Sequence, residues 1–132
     1  MRLNVYFKKN STLSIVKYPL TKKMLDSYFI TDDMLNNCAV TFSMKNSDTG
    51  IFAIANVDAE LLYLPDRTLY PNDEEYSLVY RFKKNQIKKT GIYNGEFCID
   101  FLGNNSCGKI IFPENDLIII NVLDAIVKTD VY

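Results

Sequence analysis

The side chains that could do chemistry in this sequence are mainly carboxylates and thiols, because the 132-residue chain contains no histidine. Without histidine, neither a Ser-His-Asp triad nor a Cys-His pair can be built. Glu96 and Asp100 flank Cys98 on one face of a predicted strand, and Glu60 could join them from another strand. Paired carboxylates can hydrolyse glycosides, but carboxylates on an outward strand face are normally only hydrated. We therefore predict that the chain is not an enzyme.

The sequence offers little for a metal or a cofactor. Its three cysteines, Cys38, Cys98 and Cys107, are an odd number without a CxxC spacing, so we expect reduced thiols rather than a zinc site. The acidic stretches at 32–33 and 73–75 could bind a cation, but neither has the EF-hand pattern. The five glycines form no GxGxxG motif and no phosphate-binding loop. No cofactor and no metal site is predicted.

Lysines and tyrosines suggest binding surfaces instead. The densest positive group could touch nucleic acid or could simply keep a loop hydrated and block strand pairing; it consists of Lys83, Lys84, Lys88 and Lys89. A net charge of −1 gives no global field toward nucleic acid or an acidic membrane, so neither is predicted as a partner. Some tyrosines could line a sugar-binding face or belong to a core or a protein interface; they are Tyr63, Tyr70, Tyr76, Tyr80 and Tyr93.

The elements that would position these side chains are mostly strands. Residues 38–45 and 91–102 alternate between two faces, as strands with one side on a core do. Residues 77–83 form an apolar, aromatic arm, and the segment KKNQIKKTG (83–91) is predicted to join it to residues 91–102 as a β-hairpin loop. Residues 117–122 are almost continuously apolar, which predicts burial on both faces, in the middle of a sheet or beneath a partner.

Shorter strands and one change of period complete the pattern. Brief strands are expected at 2–7, 13–20, 51–55, 60–64 and 109–112. Between 21 and 37 the apolar spacing becomes helical, with Thr21 and Thr31 as candidate N-caps. The longest loop, residues 65–75, contains Leu69 and Tyr70 and is either a contact loop or a solvated crossover.

Together these elements predict an all-β fold, an antiparallel immunoglobulin-like β-sandwich with a short helical insertion over about residues 21–37. A chain of this length is expected to form a single domain over residues 1–132, with the weakly alternating segment 124–132 as a partner-binding tail. No signal peptide and no membrane-spanning run is expected, because the longest apolar stretch is far too short.

Several segments resemble a known family. They are NCAVTFSMKN (37–46), IAN (54–56), YRF (80–82) and TGIYNGEFCIDF (90–101), of which the spacing K-x-G-x-Y-x-G-E-F (89–97) is the most specific. The chain is similar to the immunoglobulin-like N-terminal domain of tailed-phage baseplate upper proteins and to related stand-alone head- or tail-fibre anchoring proteins. It differs in its helical insertion and in ending after the domain.

The resemblance implies a non-enzymatic structural component of a tailed-phage virion, made in the host cytoplasm. It would dock on the particle through protein–protein contacts, as a capsid decoration, a head-fibre anchor or a tail or baseplate adaptor. The implied partners are other virion proteins, and an apolar strand near the terminus suits a homo-oligomer formed by strand addition. The interface candidates are Leu69, Tyr70, Leu117, Ile119, Val127, Val131 and Tyr132. The alternative is a carbohydrate- or host-surface-binding β-sandwich module.

Overall fold

The computed structural model describes residues 3–9, 11, 14–63, 74–83, 85–101, 108–113 and 117–124. Within these ranges the element order is β1 (Leu3–Lys8), β2 (Ile15–Thr21), α1 (Lys22–Ser27), α2 (Asp32–Asn36), β3 (Ala39–Asn46), β4 (Phe52–Asp58), β5 (Glu60–Tyr63), β6 (Glu74–Arg81), β7 (Gly91–Asp100), β8 (Lys109–Phe112) and β9 (Ile118–Leu123). The expectation of short strands with one helical insertion is confirmed.

The strands form two sheets. Sheet A has the order β1-β9-β7-β3-β4, with β8 also pairing with β7, and sheet B has the order β2-β6-β5. β1 runs parallel to β9, whereas the other pairs in both sheets are antiparallel. The prediction of an entirely antiparallel structure is therefore wrong for sheet A. Alternation along one strand reports its burial and not the direction of its neighbour, so the sequence pattern could not reveal the parallel pair.

One hydrophobic core lies between the two sheets. Phe42 of sheet A stacks on Tyr80 of sheet B, with ring centroids 4.7 Å apart. On sheet A, Gly95 leaves the space that the Phe42 ring and the Ile120 side chain occupy, because a Cβ added at Gly95 would lie 3.1 Å from each. Two facing sheets around one core are compatible with the predicted all-β sandwich.

The predicted hairpin between residues 77–83 and 91–102 is wrong. β6 lies in sheet B between β2 and β5, whereas β7 lies in sheet A between β3 and β9. The polar connection therefore crosses from one sheet to the other. Two features secure this crossing: Ile87 is buried in the core, and the side-chain oxygen of Gln86 accepts hydrogen bonds from the Lys83 amide at 2.7 Å and the Tyr80 hydroxyl at 2.9 Å. The only sequence signal of the crossing is Ile87, a single apolar residue among lysines. The hairpin prediction does not account for it.

The apolar run at 117–122 lies in the middle of sheet A, one of the two positions predicted for it, but the prediction of burial on both faces is wrong, because Leu117 is exposed and Ile119 is half-buried. β9 pairs along one edge with β1 and along the other with β7. Ile118, Ile120 and Val122 are buried in the core. Both edges of β9 are therefore already paired. The prediction that copies associate by adding a partner strand to β9 is wrong.

The helical insertion joins β2 to β3 at one end of the two sheets. The Thr21 hydroxyl accepts a hydrogen bond from the Met24 amide at 3.2 Å, and the Thr31 hydroxyl accepts one from the Met34 amide at 3.3 Å, so both predicted N-caps are confirmed. Leu25 and Leu35 anchor the two helices to the core. We call this end of the fold, with α1, α2 and the β4–β5 connection, the helical end.

Candidate docking surfaces

The carboxylates considered for catalysis do not converge. Glu60 lies in sheet B, where its carboxylate accepts a hydrogen bond from the Arg81 guanidinium at 3.0 Å. Glu96 and Asp100 lie on sheet A, and the Asp100 carboxylate is 4.0 Å from the Lys109 ammonium. The expectation that Glu60 could join Glu96 and Asp100 is therefore wrong, because the two groups belong to different sheets.

The structure gives partners for Cys38 and for the acidic stretch at 32–33, whereas Asp73 of the stretch at 73–75 lies outside the described residues. The Cys38 thiol donates a hydrogen bond to the Leu35 carbonyl oxygen at 3.2 Å, and burial raises the pKa of Cys38, which keeps it protonated near neutral pH. Cys98 is also a free thiol, and Cys107 lies outside the described residues. In the described part of the chain, no three Cys, Asp or Glu side chains gather as metal ligands. Asp32 instead accepts a hydrogen bond from the Tyr76 hydroxyl at 3.0 Å.

The five tyrosines do not share a face. Tyr76, Tyr80 and Tyr93 are buried in the core, and Tyr70 lies outside the described residues. Tyr63 alone is placed at the surface, with its ring 4.9 Å from that of Tyr76. It borders an open cleft of about 590 Å³ at the helical end, together with the polar residues Asn36 and Asp58.

The outer surface of sheet A carries an exposed apolar patch. Tyr6 of β1 and Ile92 of β7 lie on either side of Asn121 of β9, and along β9 this asparagine lies between Ile119 and Leu123. Tyr6 is 67% exposed and Ile92 is 52% exposed. We call Tyr6, Ile92, Ile119 and Leu123 the outer-face patch. Its members come from three neighbouring strands and surround the polar Asn121, so they are neighbours across the sheet.

Two of the predicted interface residues belong to this region. Ile119 is half-buried in the outer-face patch, and Leu117 is exposed just before β9. The remaining candidates lie outside the described residues: Leu69, Tyr70, Val127, Val131 and Tyr132.

A single aromatic side chain stands out at the helical end. Phe29, between α1 and α2, is 86% exposed and has a φ of 57°. The Phe29 amide donates to the Asp26 carbonyl oxygen and the Ile30 amide donates to the Leu25 carbonyl oxygen, the pattern of a Schellman cap, in which glycine is the usual residue at the left-handed position. Ile30 is buried, so the cap fixes the backbone and directs Phe29 away from the core.

The opposite end of the fold is basic and has a cleft lined by both polar and apolar side chains. We call it the basic end; it consists of the β3–β4 turn, the β6–β7 crossing and the adjoining ends of β1, β3 and β9. Its cleft has a volume of about 420 Å³ and is lined by Ile51, Phe52, Lys88 and Lys89 among others. Ile51 is 69% exposed and Phe52 is 57% exposed. Exposed lysines therefore lie beside exposed apolar side chains in one cleft, an arrangement that the prediction of a hydrated hairpin loop did not include.

The sequence interpretation missed the residues that dominate these surfaces. Phe29 lies in the predicted helical segment 21–37, and Phe52 and Tyr6 lie in predicted strands, but the sequence pattern predicts no surface role for any of the three. Period-two alternation does place Tyr6 and Ile92 on the outward face, so the outer-face patch was available from the sequence once strand neighbours were known. Phe29 had no such signal, because its exposure depends on a left-handed residue where glycine is expected.

Comparison with known proteins gives no relative: no family model, no curated protein and no solved structure matches the chain. Among the described residues, no helix is long and apolar enough to cross a membrane.

Proposed function

We propose that the chain is an immunoglobulin-like β-sandwich that serves as a non-enzymatic structural component of a tailed-phage virion. Its outer-face patch would dock on another structural protein of the particle. The observation that carries the docking proposal is the exposed apolar surface shared by β1, β9 and β7. An exposed apolar face of this kind marks an interaction site. The assignment to a virion rests on the resemblance of the segments at 37–46, 54–56, 80–82 and 90–101.

The strand order supports the immunoglobulin-like part of the proposal. The order β2-β6-β5 corresponds to strands B, E and D, and β9-β7-β3-β4 corresponds to G, F, C and C′ of that fold. The Tyr93 hydroxyl donates to the Lys89 carbonyl oxygen at 2.9 Å, which is the geometry of a tyrosine corner at the start of strand F. Phe42 packs over Gly95 where antibody domains pack a tryptophan against a disulfide.

The proposal is tested by incorporating tagged variants into particles and measuring their copy number against a capsid protein. Ile92→Lys puts a charge on the β7 side of the outer-face patch and is expected to lower the copy number at least tenfold, since a charge buried without a partner in an apolar interface is strongly unfavourable. The matched control is Ile15→Lys, at an exposed position of β2 in sheet B, and it is expected to incorporate normally.

Equal incorporation of both variants would contradict docking through the outer-face patch, and absence of the wild-type protein from purified particles would contradict the virion role. The alternative, a carbohydrate- or host-surface-binding module, is supported only by the cleft beside Tyr63 with Asn36 and Asp58. Glycan binding that is lost in Tyr63→Ala, together with absence from particles, would favour that alternative.

A further inference from the structure

We propose that copies of this chain associate head to tail, with Phe29 at the helical end of one copy inserted into the basic-end cleft of the next. This contact uses neither the outer-face patch nor the chain termini, so it does not depend on the docking proposal. The argument rests on three properties of the two ends: their shapes, their apolar side chains and their charges.

The shapes and apolar side chains are complementary. Phe29 projects with 86% of its surface exposed, and its Schellman cap holds it in place. The basic-end cleft, at about 420 Å³, lies in the range of sites that hold whole small molecules, so one aromatic ring fits. Ile51 and Phe52 line that cleft and are themselves exposed. Insertion of Phe29 would therefore remove apolar surface of both copies from water.

The charges of the two ends have opposite sign. Among the described residues, the exposed carboxylates at the helical end outnumber the exposed lysines Lys22, Lys23 and Lys109, of which Lys109 lies 4.0 Å from the Asp100 carboxylate. These carboxylates are Asp26, Asp32, Asp33 and Asp58. At the basic end, lysines outnumber Asp48 and Asp124, of which Asp124 lies 3.9 Å from Lys9; the exposed lysines there are Lys8, Lys45, Lys83, Lys88 and Lys89.

The two ends are too far apart to neutralise each other within one copy. The eight residues of β3 run from the helical end to the basic end, a distance of about 26 Å at ~3.3 Å per residue. This exceeds the screening length of about 8 Å at physiological ionic strength. Contact between two copies brings the opposite charges together. We therefore take the occupant of the cleft to be a second copy of the chain.

A head-to-tail contact is heterologous, because it joins two different surfaces. An open assembly of any length therefore keeps one free Phe29 side chain, which we call the knob, at one end and one free basic-end cleft at the other. Repetition therefore gives a ring or a linear row, and the simplest test measures mass as a function of protein concentration by sedimentation. We expect association at low salt that weakens in about 1 M salt, since screening acts on exposed charges. A wild type that remains monomeric at every concentration and salt level overturns the proposal.

Two variants remove the two halves of the contact. Phe29→Gly deletes the knob, and the fold tolerates it because glycine is favoured at a φ of 57°; its melting temperature should not fall. Lys88→Glu with Lys89→Glu reverses the charge of the cleft. Each variant is expected to weaken self-association at least tenfold. The matched control is Lys22→Glu with Lys23→Glu, the same charge change at the helical end, which should leave association unchanged or tighten it.

Mixing the two defective variants distinguishes this contact from a symmetric one. Phe29→Gly still has an intact cleft, and the Lys88→Glu, Lys89→Glu variant still has an intact knob. We expect each alone to be monomeric and their mixture to form a one-to-one dimer that grows no further. A mixture that stays monomeric while the wild type associates overturns the proposal, as does a Phe29→Gly variant that associates like the wild type.

Discussion

The replacement Gly95→Ala tests how the core of sheet A is packed. Gly95 lies on the buried side of β7, and a Cβ at this position would lie 3.1 Å from Ile120 Cδ1 and from two ring atoms of Phe42. Carbon atoms pack best at about 3.5–4.0 Å, so the new methyl group must displace both neighbours by several tenths of an ångström. Both neighbours are buried: the Phe42 ring stacks on Tyr80 at 4.7 Å, and Ile120 lies on β9, which is paired on both edges.

The expected cost follows from two opposing effects. Overpacking of this kind destabilises by about 1–3 kcal/mol. Replacing glycine by alanine inside a strand raises the free energy of unfolding by roughly 0.5–1 kcal/mol, because alanine loses less conformational freedom than glycine on folding. Taking the middle of each range, we expect Gly95→Ala to lower the free energy of unfolding by about 1 kcal/mol, which for a domain of this size is a fall of roughly 3–6 °C in Tm.

The measurement is urea unfolding of four proteins in a double-mutant cycle. Ile120→Val removes the Cδ1 atom that the new methyl group would meet, and alone it should cost about 0.5–1.5 kcal/mol. In the double variant part of the clash disappears. The double variant should therefore be destabilised by at least about 0.5 kcal/mol less than the sum of the two single variants. A Gly95→Ala protein as stable as the wild type would refute the close approach of Phe42, and strict additivity would refute the contact with Ile120.

Two further substitutions test single polar groups. Tyr93→Phe removes the 2.9 Å hydrogen bond to the Lys89 carbonyl oxygen and should lower the free energy of unfolding by about 1 kcal/mol; an unchanged urea midpoint would mean that this bond does not stabilise the crossing. Ser77→Ala removes a buried hydroxyl that has no hydrogen-bond partner among the described residues, and it should raise the free energy of unfolding by about 1 kcal/mol. A lower melting temperature would show that the Ser77 hydroxyl is satisfied.

Local signals in the sequence were sufficient to predict most elements. Alternation along residues 91–100 gave β7 with its correct inward face, and the threonines at 21 and 31 gave both helix starts. These predictions succeeded because a strand period and an N-cap depend on residues close together in the chain. The strand partners did not follow in the same way. The parallel β1–β9 pair joins residues more than a hundred positions apart, and nothing in either strand encodes the direction of its partner.

The candidate surfaces were harder to predict than the elements, for a related reason. An outward apolar residue becomes part of a patch only when its neighbours across the sheet are known. Tyr6 and Ile92 meet because β9 lies between their strands. Phe29 escaped prediction because helical spacing places residues on a face but does not reveal a left-handed cap occupied by phenylalanine.

The connection between β6 and β7, which the sequence pattern wrongly predicts as a hairpin loop, determines where the positive charge lies. In a hairpin, the lysines of 83–89 would extend beyond the paired strands, away from any other element. As a crossing between the sheets, the same segment buries Ile87 and binds Tyr80 through Gln86, so it closes one end of the core. Lys88 and Lys89 then lie beside the β3–β4 turn and its exposed Ile51 and Phe52. A positively charged cleft with exposed apolar side chains at this end is therefore a consequence of the sheet crossing, and it lies opposite the acidic end that carries Phe29.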